Sequence, residues 1–326
     1  MKDSLPPIDL TGLTTYPLED RPSKVSIADA GRPWSPGGTL SDFFHRLPTL
    51  LAAGDLRAAV TAVAEAARRR RMVIFGMGAH VIKVGLNPTV IDLMDRGILG
   101  LVAMNGAGII HDAELALAGK TSEDVGAALG SGAFGMARET AVFLAGAVAR
   151  AGREQIGLGE AVGREILDAG LPHADFSILA AGARLGLPVT VHVAMGTDIL
   201  HMHPDFDPAA AGAASHLDFR RFAAAVARLE GGVYLNVGSA VILPEVFLKA
   251  TSLARNLGHR LDAVTTVNMD FVRHYRPLTN VVGRPTRQGG RGINLVGHHE
   301  IMVPLLAAGV IEALWEFETG NSKLET

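Results

Sequence analysis

The sequence predicts a doubly wound α/β fold: a parallel sheet with helices on both faces, joined to an N-terminal arm. Three observations predict it. The chain has 326 residues and is 48% hydrophobic, enough to bury a sizeable core. Short continuous apolar runs alternate with longer helical patterns, as expected of strands buried on both faces. Glycine and histidine gather just after those runs, where an open parallel sheet binds its ligands.

Taken in order, residues 1–40 are rich in Pro, Gly, Ser and Thr without sustained periodicity, and predict an extended arm lying over the surface or over a partner subunit. Residues 41–326 are read as a single α/β domain. Helical patterning begins at Leu40 and continues in DLRAAVTAVAEAARRRR, where Asp55 is read as N-cap and the arginine run as a solvated, dipole-favoured helix end. Strands are predicted at 72–76, 98–104, 188–194, 232–237, 261–267 and 292–297. Helices fill the intervals, among them an Ala-rich stretch from Gly135 to Arg150 and the C-terminal HEIMVPLLAAGVIEAL.

Composition excludes several function classes. With 30 basic and 33 acidic residues, a nonspecific electrostatic hold on nucleic acid or anionic membrane is not expected, which leaves a small-molecule substrate. The absence of cysteine excludes disulfides, thiol nucleophiles and thiolate-bound zinc. No apolar run reaches the ~20 residues of a membrane helix, and MKDSLPPIDL lacks the apolar region of a secretory signal, so a cytoplasmic location is expected.

The strand-following segments are GMGAHVIKVG (76–85), NGAGIIHD (105–112), MGTDILHMHPDFD (195–207), GSAVILPE (238–245) and NMDFVRHYRP (268–277). Gly76, Gly78, Gly106 and Gly108 suit either close approach of backbone to a ligand or tight packing, since the third glycine of a GxGxxG fingerprint is missing. His80, His111, His192, His201, His203, His298 and His299 fall in or beside strand ends, and imidazole suits proton transfer near neutral pH. His201 and His203 with Asp205 and Asp207 offer a metal alternative. From Phe271 to His299 there are five arginines (Arg273, Arg276, Arg284, Arg287, Arg291) and no acidic residue, which reads as an anion clamp or a solvated basic loop.

These residues resemble deoxyhypusine synthase. The resemblance runs through Gly78–Leu117, then SILAAGARLGLPVTVHVAMGTDILHMH, GGVYLNVGSAVILPEVFLKATSLARN and LVGHHEIMVPLLAAG, and so covers most of residues 40–316. It implies a Rossmann-like domain that binds NAD and assembles as a homotetramer with sites at subunit interfaces. Carried over by position, it implies cofactor contacts from Gly78, Ala79, His80 and Lys83, from Asn105, Gly106, Ala107, Gly108, His111 and Asp112, and from Asp198, Gly238, Ser239, Asn268 and His298.

The departures are chemical. The family's Thr-Ser-Asn turn is Gly78-Ala79-His80, and one carboxylate of its glutamate pair is His111. Its Trp-Gly-Lys segment corresponds to PTRQGGRGINL (285–295), without tryptophan or lysine, and neither Lys249 nor Lys323 can be assigned the missing role. Arginine cannot form the family's imine because it stays protonated. The expectation is therefore an NAD-dependent enzyme acting by hydride transfer, at times transient, on a small anionic substrate bearing a hydroxyl or amine. His80, His111 or His192 would take the proton, and Lys83 would polarise a carbonyl, form an imine or contact the cofactor. Arg273, Arg276 or Arg291 would hold the anion. Two other classes stand beside it: a noncatalytic nucleotide-sensing homo-oligomer, and a metal-assisted hydrolase built on His201 and His203.

Overall fold

The computed structural model describes residues 5–320. In the described part of the arm, residues 5–39, the only regular structure is two single-turn helices, at Leu18–Asp20 and Ile27–Asp29. Its large apolar side chains, Leu5, Ile8, Leu10, Leu13 and Tyr16 among them, are exposed.

The body begins at α1 (Leu40–Arg46), where the Thr39 hydroxyl accepts from Asp42 N while the Asp42 carboxylate accepts from Thr39 N, a reciprocal cap. There follow α2 (Leu51–Arg68), β1 (Val73–Met77), α3 (His80–Lys83), α4 (Asn87–Asp95) and β2 (Leu101–Asn105). A long connection carries α5 (Gly106–Ala118), α6 (Val125–Ala128), α7 (Arg138–Glu154), α8 (Leu158–Asp168) and α9 (Ile178–Leu185) before β3 (Val189–His192). The second half is more economical: α10 (Pro208–Val226), β4 (Val233–Val237), α11 (Ile242–Asn256), β5 (Thr265–Asp270), α12 (Tyr275–Pro277), a π-helical stretch (Leu278–Gly283), β6 (Arg291–Val296) and α13 (His299–Thr319).

All six strands are parallel, in the order β3-β2-β1-β4-β5-β6. Alternation along each strand divides the core into two layers. Val73, Phe75 and Met77 of β1, with Val233, Leu235 and Val237 of β4, pack under α2, α4, α5 and α13. Ile74 and Tyr234 point the other way, into a smaller core with Phe222 of α10 and Phe247 of α11. The doubly wound architecture is therefore as the sequence predicts.

Several strand boundaries shift by a few residues, β2 starting at Leu101 rather than 98, and two further differences bear on the reading of the sequence. The α2 helix starts at Leu51, which has φ +47°, so its N-cap is Leu50 and Asp55 lies inside the helix. The fifth strand starts at Thr265 rather than 261, because the Glu230 carboxylate accepts from Asp262 N (2.8 Å) and Ala263 N (3.2 Å) and so takes those donors out of the sheet ladder. On the outer strand β3, Asp218 Oδ2 accepts from Val191 N at 3.0 Å and Ser215 Oγ from Val193 N at 3.0 Å, so α10 covers an edge that would otherwise invite another strand. Among the described residues no helix is long and apolar enough to cross a membrane.

Candidate functional site

The strand order reverses between β1 and β4, and the two turns leaving these strands are pressed together. Gly78 N donates to Val237 O at 2.9 Å, and a Cβ on Gly78 would lie 2.1 Å from Gly238 O. Gly238 itself has φ +64°, and the His299 ring lies 2.8 Å from where its Cβ would be. The other three glycines are likewise filled by the chain: Gly76 by the Tyr234 hydroxyl, Gly106 by the Asp198 carboxylate, Gly108 by Met104. Packing, the second of the two readings open from sequence, accounts for all of them.

Around this switch point stand the side chains with chemistry to offer. His111, on the outer face of α5, has Nδ1 2.7 Å from Thr121 Oγ1; the Thr121 hydroxyl donates to Glu114, so the His111 Nδ1–H must donate to Thr121 and its Nε2 keeps a lone pair. Burial holds this imidazole below its ordinary pKa, with Glu114 opposing and the nearby Lys83 charge reinforcing the effect. Lys83 and His80 sit one turn apart on α3. His80 meets His299 edge-on (5.3 Å between ring centroids) and Phe271 at 5.6 Å. Phe271 in turn stacks on His298 at 6.0 Å, and both are open to solvent.

His299 is the deepest member, at 0% exposure. Its Nε2 donates to Met269 O at 3.3 Å, while its Nδ1 is buried without a partner among the described residues. Burial depresses its pKa, and Asp270, 3.9 Å away, opposes the shift.

Other predicted residues are spent inside the chain. His192 is buried, with Nε2 3.1 Å from Thr190 Oγ1 and its ring edge-on to Phe222, and burial pushes its pKa down to about 3, so it is a neutral core residue rather than a base. Asp112 accepts from Ile178 N (2.9 Å), Leu179 N (3.2 Å), Asn87 Nδ2 (2.9 Å) and the Ser177 hydroxyl, capping α9 rather than facing the crevice. Neighbours on a helix are turned by about 100°, so His111 and Asp112 leave α5 on different faces. Asn105 caps α5 by accepting from Gly108 N; Ala107 follows in its first turn, and Ala79 precedes α3. Ser239 Oγ accepts from Leu243 N at 3.1 Å, and Asp198 lies against the start of α5, its pKa raised by burial.

The arginine segment is divided. Arg273 and Arg276 follow β5 at the carboxyl edge, Arg276 within 3.5 Å of Glu245. Arg291 opens β6 and so lies at the amino edge, opposite the crevice, because α12 and the π-helical stretch carry the chain down the sheet in between. The metal alternative meets a similar correction. His201 Nδ1 accepts from Gly196 N and Asp198 N, His203 Nε2 donates to Gly135 O, and Asp207 caps α10. Among the described residues no group of three metal-binding side chains comes together.

Two features escape the sequence reading. Asn236, Asn268 and Asn294 stand in register on β4, β5 and β6, with Asn236 Nδ2 donating to Asn268 Oδ1 and Asn268 Nδ2 to Asn294 Oδ1, each at 2.8 Å. Asn236 also donates to Ser239 O at 2.9 Å, tying this ladder to the switch-point turn, and Asn268 is thereby inside the sheet rather than beyond it. The signal was an asparagine within each of three apolar runs, YLNV, TVNM and INLV. The second feature is the choice between His298 and His299: the inner ring is His299, which shares the buried face of α13 with Val303, Leu306 and Val310.

No protein-family model matches the chain, and no curated protein matches it in sequence. Solved structures do match. A provisionally labelled deoxyhypusine synthase from Entamoeba histolytica has a TM-score of 0.50 at 10% identity, over 87% of this chain and 97% of that one. A provisionally labelled LOR/SDH protein from Methanococcus maripaludis S2 gives 0.50 at 13% identity, over 81% and 70%. AgrE, solved with ornithine and NAD+, gives 0.50 at 14% identity over 82% of this chain, which spans 34% of AgrE. At these identities what is shared is the fold: a six-stranded parallel α/β sheet of the deoxyhypusine synthase-like kind.

Proposed function

We propose that the protein is an NAD-dependent enzyme that transfers hydride, at times transiently, from a hydroxyl- or amine-bearing carbon of a small anionic substrate, and that it is not a deoxyhypusine synthase. The observation that carries this is His111: half-buried, neutral, oriented through Thr121 by Glu114, with Nε2 directed away from its own hydrogen-bonding network. The orienting chain behind a base is what proton abstraction requires.

The chain's residues fit the cofactor at one telling point. A buried acceptor without a partner, His299 Nδ1, lies at the switch point beside two exposed, stacked aromatic faces, Phe271 and His298. NAD, when bound, supplies the hydride acceptor. His80 and Lys83 of α3, Ser239 and His298 would hold it. His111 takes the proton from the substrate, Lys83 beside it disfavours the imidazolium before that transfer, and Arg273 and Arg276 attract the substrate's anion to the rim. Lys249 is paired with Glu245 on α11, and Lys323 lies outside the described residues. Assembly as a homotetramer is part of the proposal, supported by an arm whose apolar side chains find no cover on their own chain.

A thermal-shift panel tests the reading. NAD at about 100 times its Kd should stabilise the protein by about 2.7 kcal/mol, a rise of several degrees. Stabilisation by no dinucleotide would sink the proposal, and aminobutyl transfer from spermidine to an acceptor protein would overturn its second half.

A further inference from the structure

The arginine run after α2 is an exposed helix end, as its sequence suggests, and it also lines a cavity. Arg68 and Arg69 both pair with Glu65, but the chain then turns at Arg70, which has φ +53°, and Arg70 and Arg71 line a cavity of about 480 Å³ at the amino edge of the sheet. Arg228, from the connection between α10 and β4, lines the same cavity. None of these three guanidiniums has a carboxylate within 4.0 Å among the described residues. The carboxylate in the cavity wall, Glu230, is already committed to Asp262 N, Ala263 N and Arg260. A chain with net charge −3 thus holds a concave concentration of uncompensated positive charge.

The surroundings extend it. Arg291 shares one row of the sheet with Thr265, Val233 and Val73, so it lies on the same edge, roughly 14 Å from β1 at the usual strand spacing. Apolar wall is supplied by Met72 and Ile98. Arg70 occupies a left-handed turn position that glycine fills with less strain, so its side chain is not there to suit the backbone.

We propose that this cavity is a second anion site, independent of the crevice at the carboxyl edge, and that it takes a polyphosphate of nucleotide size, a nucleoside di- or triphosphate. Three guanidiniums on two separate connections can each meet a different phosphate of a chain, with the apolar wall left for a base or sugar. The volume suits a ligand of this class.

Calorimetric titration of the full chain with inorganic triphosphate and with ATP, at about 50 and about 200 mM salt, tests it. Saturable binding of both is expected, weakening at the higher salt, with ATP the tighter. The R71Q/R228Q variant should lose affinity about tenfold or more with an unchanged melting temperature in the absence of ligand. R70G should melt no lower than the parent and still bind more weakly, a result that a merely structural Arg70 would not give. Binding undetected at about 5 mM ligand, or equal affinity in R71Q/R228Q, would overturn the proposal. So would a single-stranded oligonucleotide binding more tightly than the triphosphate, which would make the edge a nucleic-acid contact.

Discussion

The two sides of the carboxyl edge use similar residues to opposite ends. Beyond β2 and β3, Asp112 caps α9, His192 bonds to Thr190, His201 and His203 bond to backbone, and His111 is the histidine held by a Thr121–Glu114 relay. Beyond β1, β4 and β5, the asparagine ladder supports the turn from below while His299 Nδ1 stays unpartnered and Phe271 and His298 stay open. The connections explain the difference. Between β2 and β3 run five helices, whose amino termini need acceptors, whereas β4 to β5 needs one helix. A polar residue after a strand is available to a ligand only when no nearby helix end claims it.

The largest expected effect lies on the closed side. D112A strips the acceptor from two backbone N–H groups, an amide and a hydroxyl, all buried. It should cost about 3–5 kcal/mol in urea unfolding, because each abandoned donor carries its desolvation penalty. A loss under about 1 kcal/mol would mean that Asp112 is free to serve a ligand and that the two sides do not differ as described.

That contrast shows how much of the molecule its sequence discloses. The strands are legible because a parallel sheet buried on both faces demands continuous apolar runs, and Val73–Met77 and Val233–Val237 supply them. The fifth strand is misplaced because Leu261 and Val264 are as apolar as strand residues, while the glutamate that diverts their backbone lies some thirty residues earlier, at position 230. Site residues are legible by segment and not by direction. Residues His111 and Asp112 are adjacent in sequence, yet one turns to Thr121 and one caps α9. The arginine segment reads as one clamp, but a connection that descends the sheet puts Arg273 and Arg291 at opposite edges. The Asn236–Asn268–Asn294 ladder needs the register of three strands, which no local pattern contains.

A second, smaller effect separates a buried histidine from buried carboxylates by the sign of its pH dependence. His192, pushed down to about 3 from the ordinary 6.5, stays neutral in the folded chain while the unfolded chain takes up a proton, so its contribution is complete above pH 6.5 and is lost as pH falls towards 3. Asp112 and Asp218, pushed up to about 6 and about 7 by burial, act in the opposite sense: their contribution is complete below the ordinary 3.8 and is lost as pH rises through those values. H192F should therefore flatten the acid side of the stability profile by about one proton, roughly 1.4 kcal/mol per pH unit between pH 6 and 4, in urea melts across that range. An unchanged slope would place His192 in contact with solvent or ligand, on the open side of the comparison.

The smallest effect on stability, and the sharpest test of the open side, is expected from H299Q. Glutamine can keep a donor near Met269 O, where His299 Nε2 stands, but presents no acceptor at the place of Nδ1. Since Nδ1 makes no bond among the described residues, unfolding free energy should change by only about 1 kcal/mol. Affinity for NAD, read from the ligand-dependent rise in melting temperature, should fall about tenfold or more, because a group that meets the ligand loses its half of the contact. The reverse pattern, a loss of about 3 kcal/mol in stability with the NAD-dependent shift intact, would make His299 a core residue of the same kind as His192. The unpartnered nitrogen would then be a packing cost tolerated beneath Gly238, and the candidate site would contract to His80, Lys83 and His111 on the β1–β2 side.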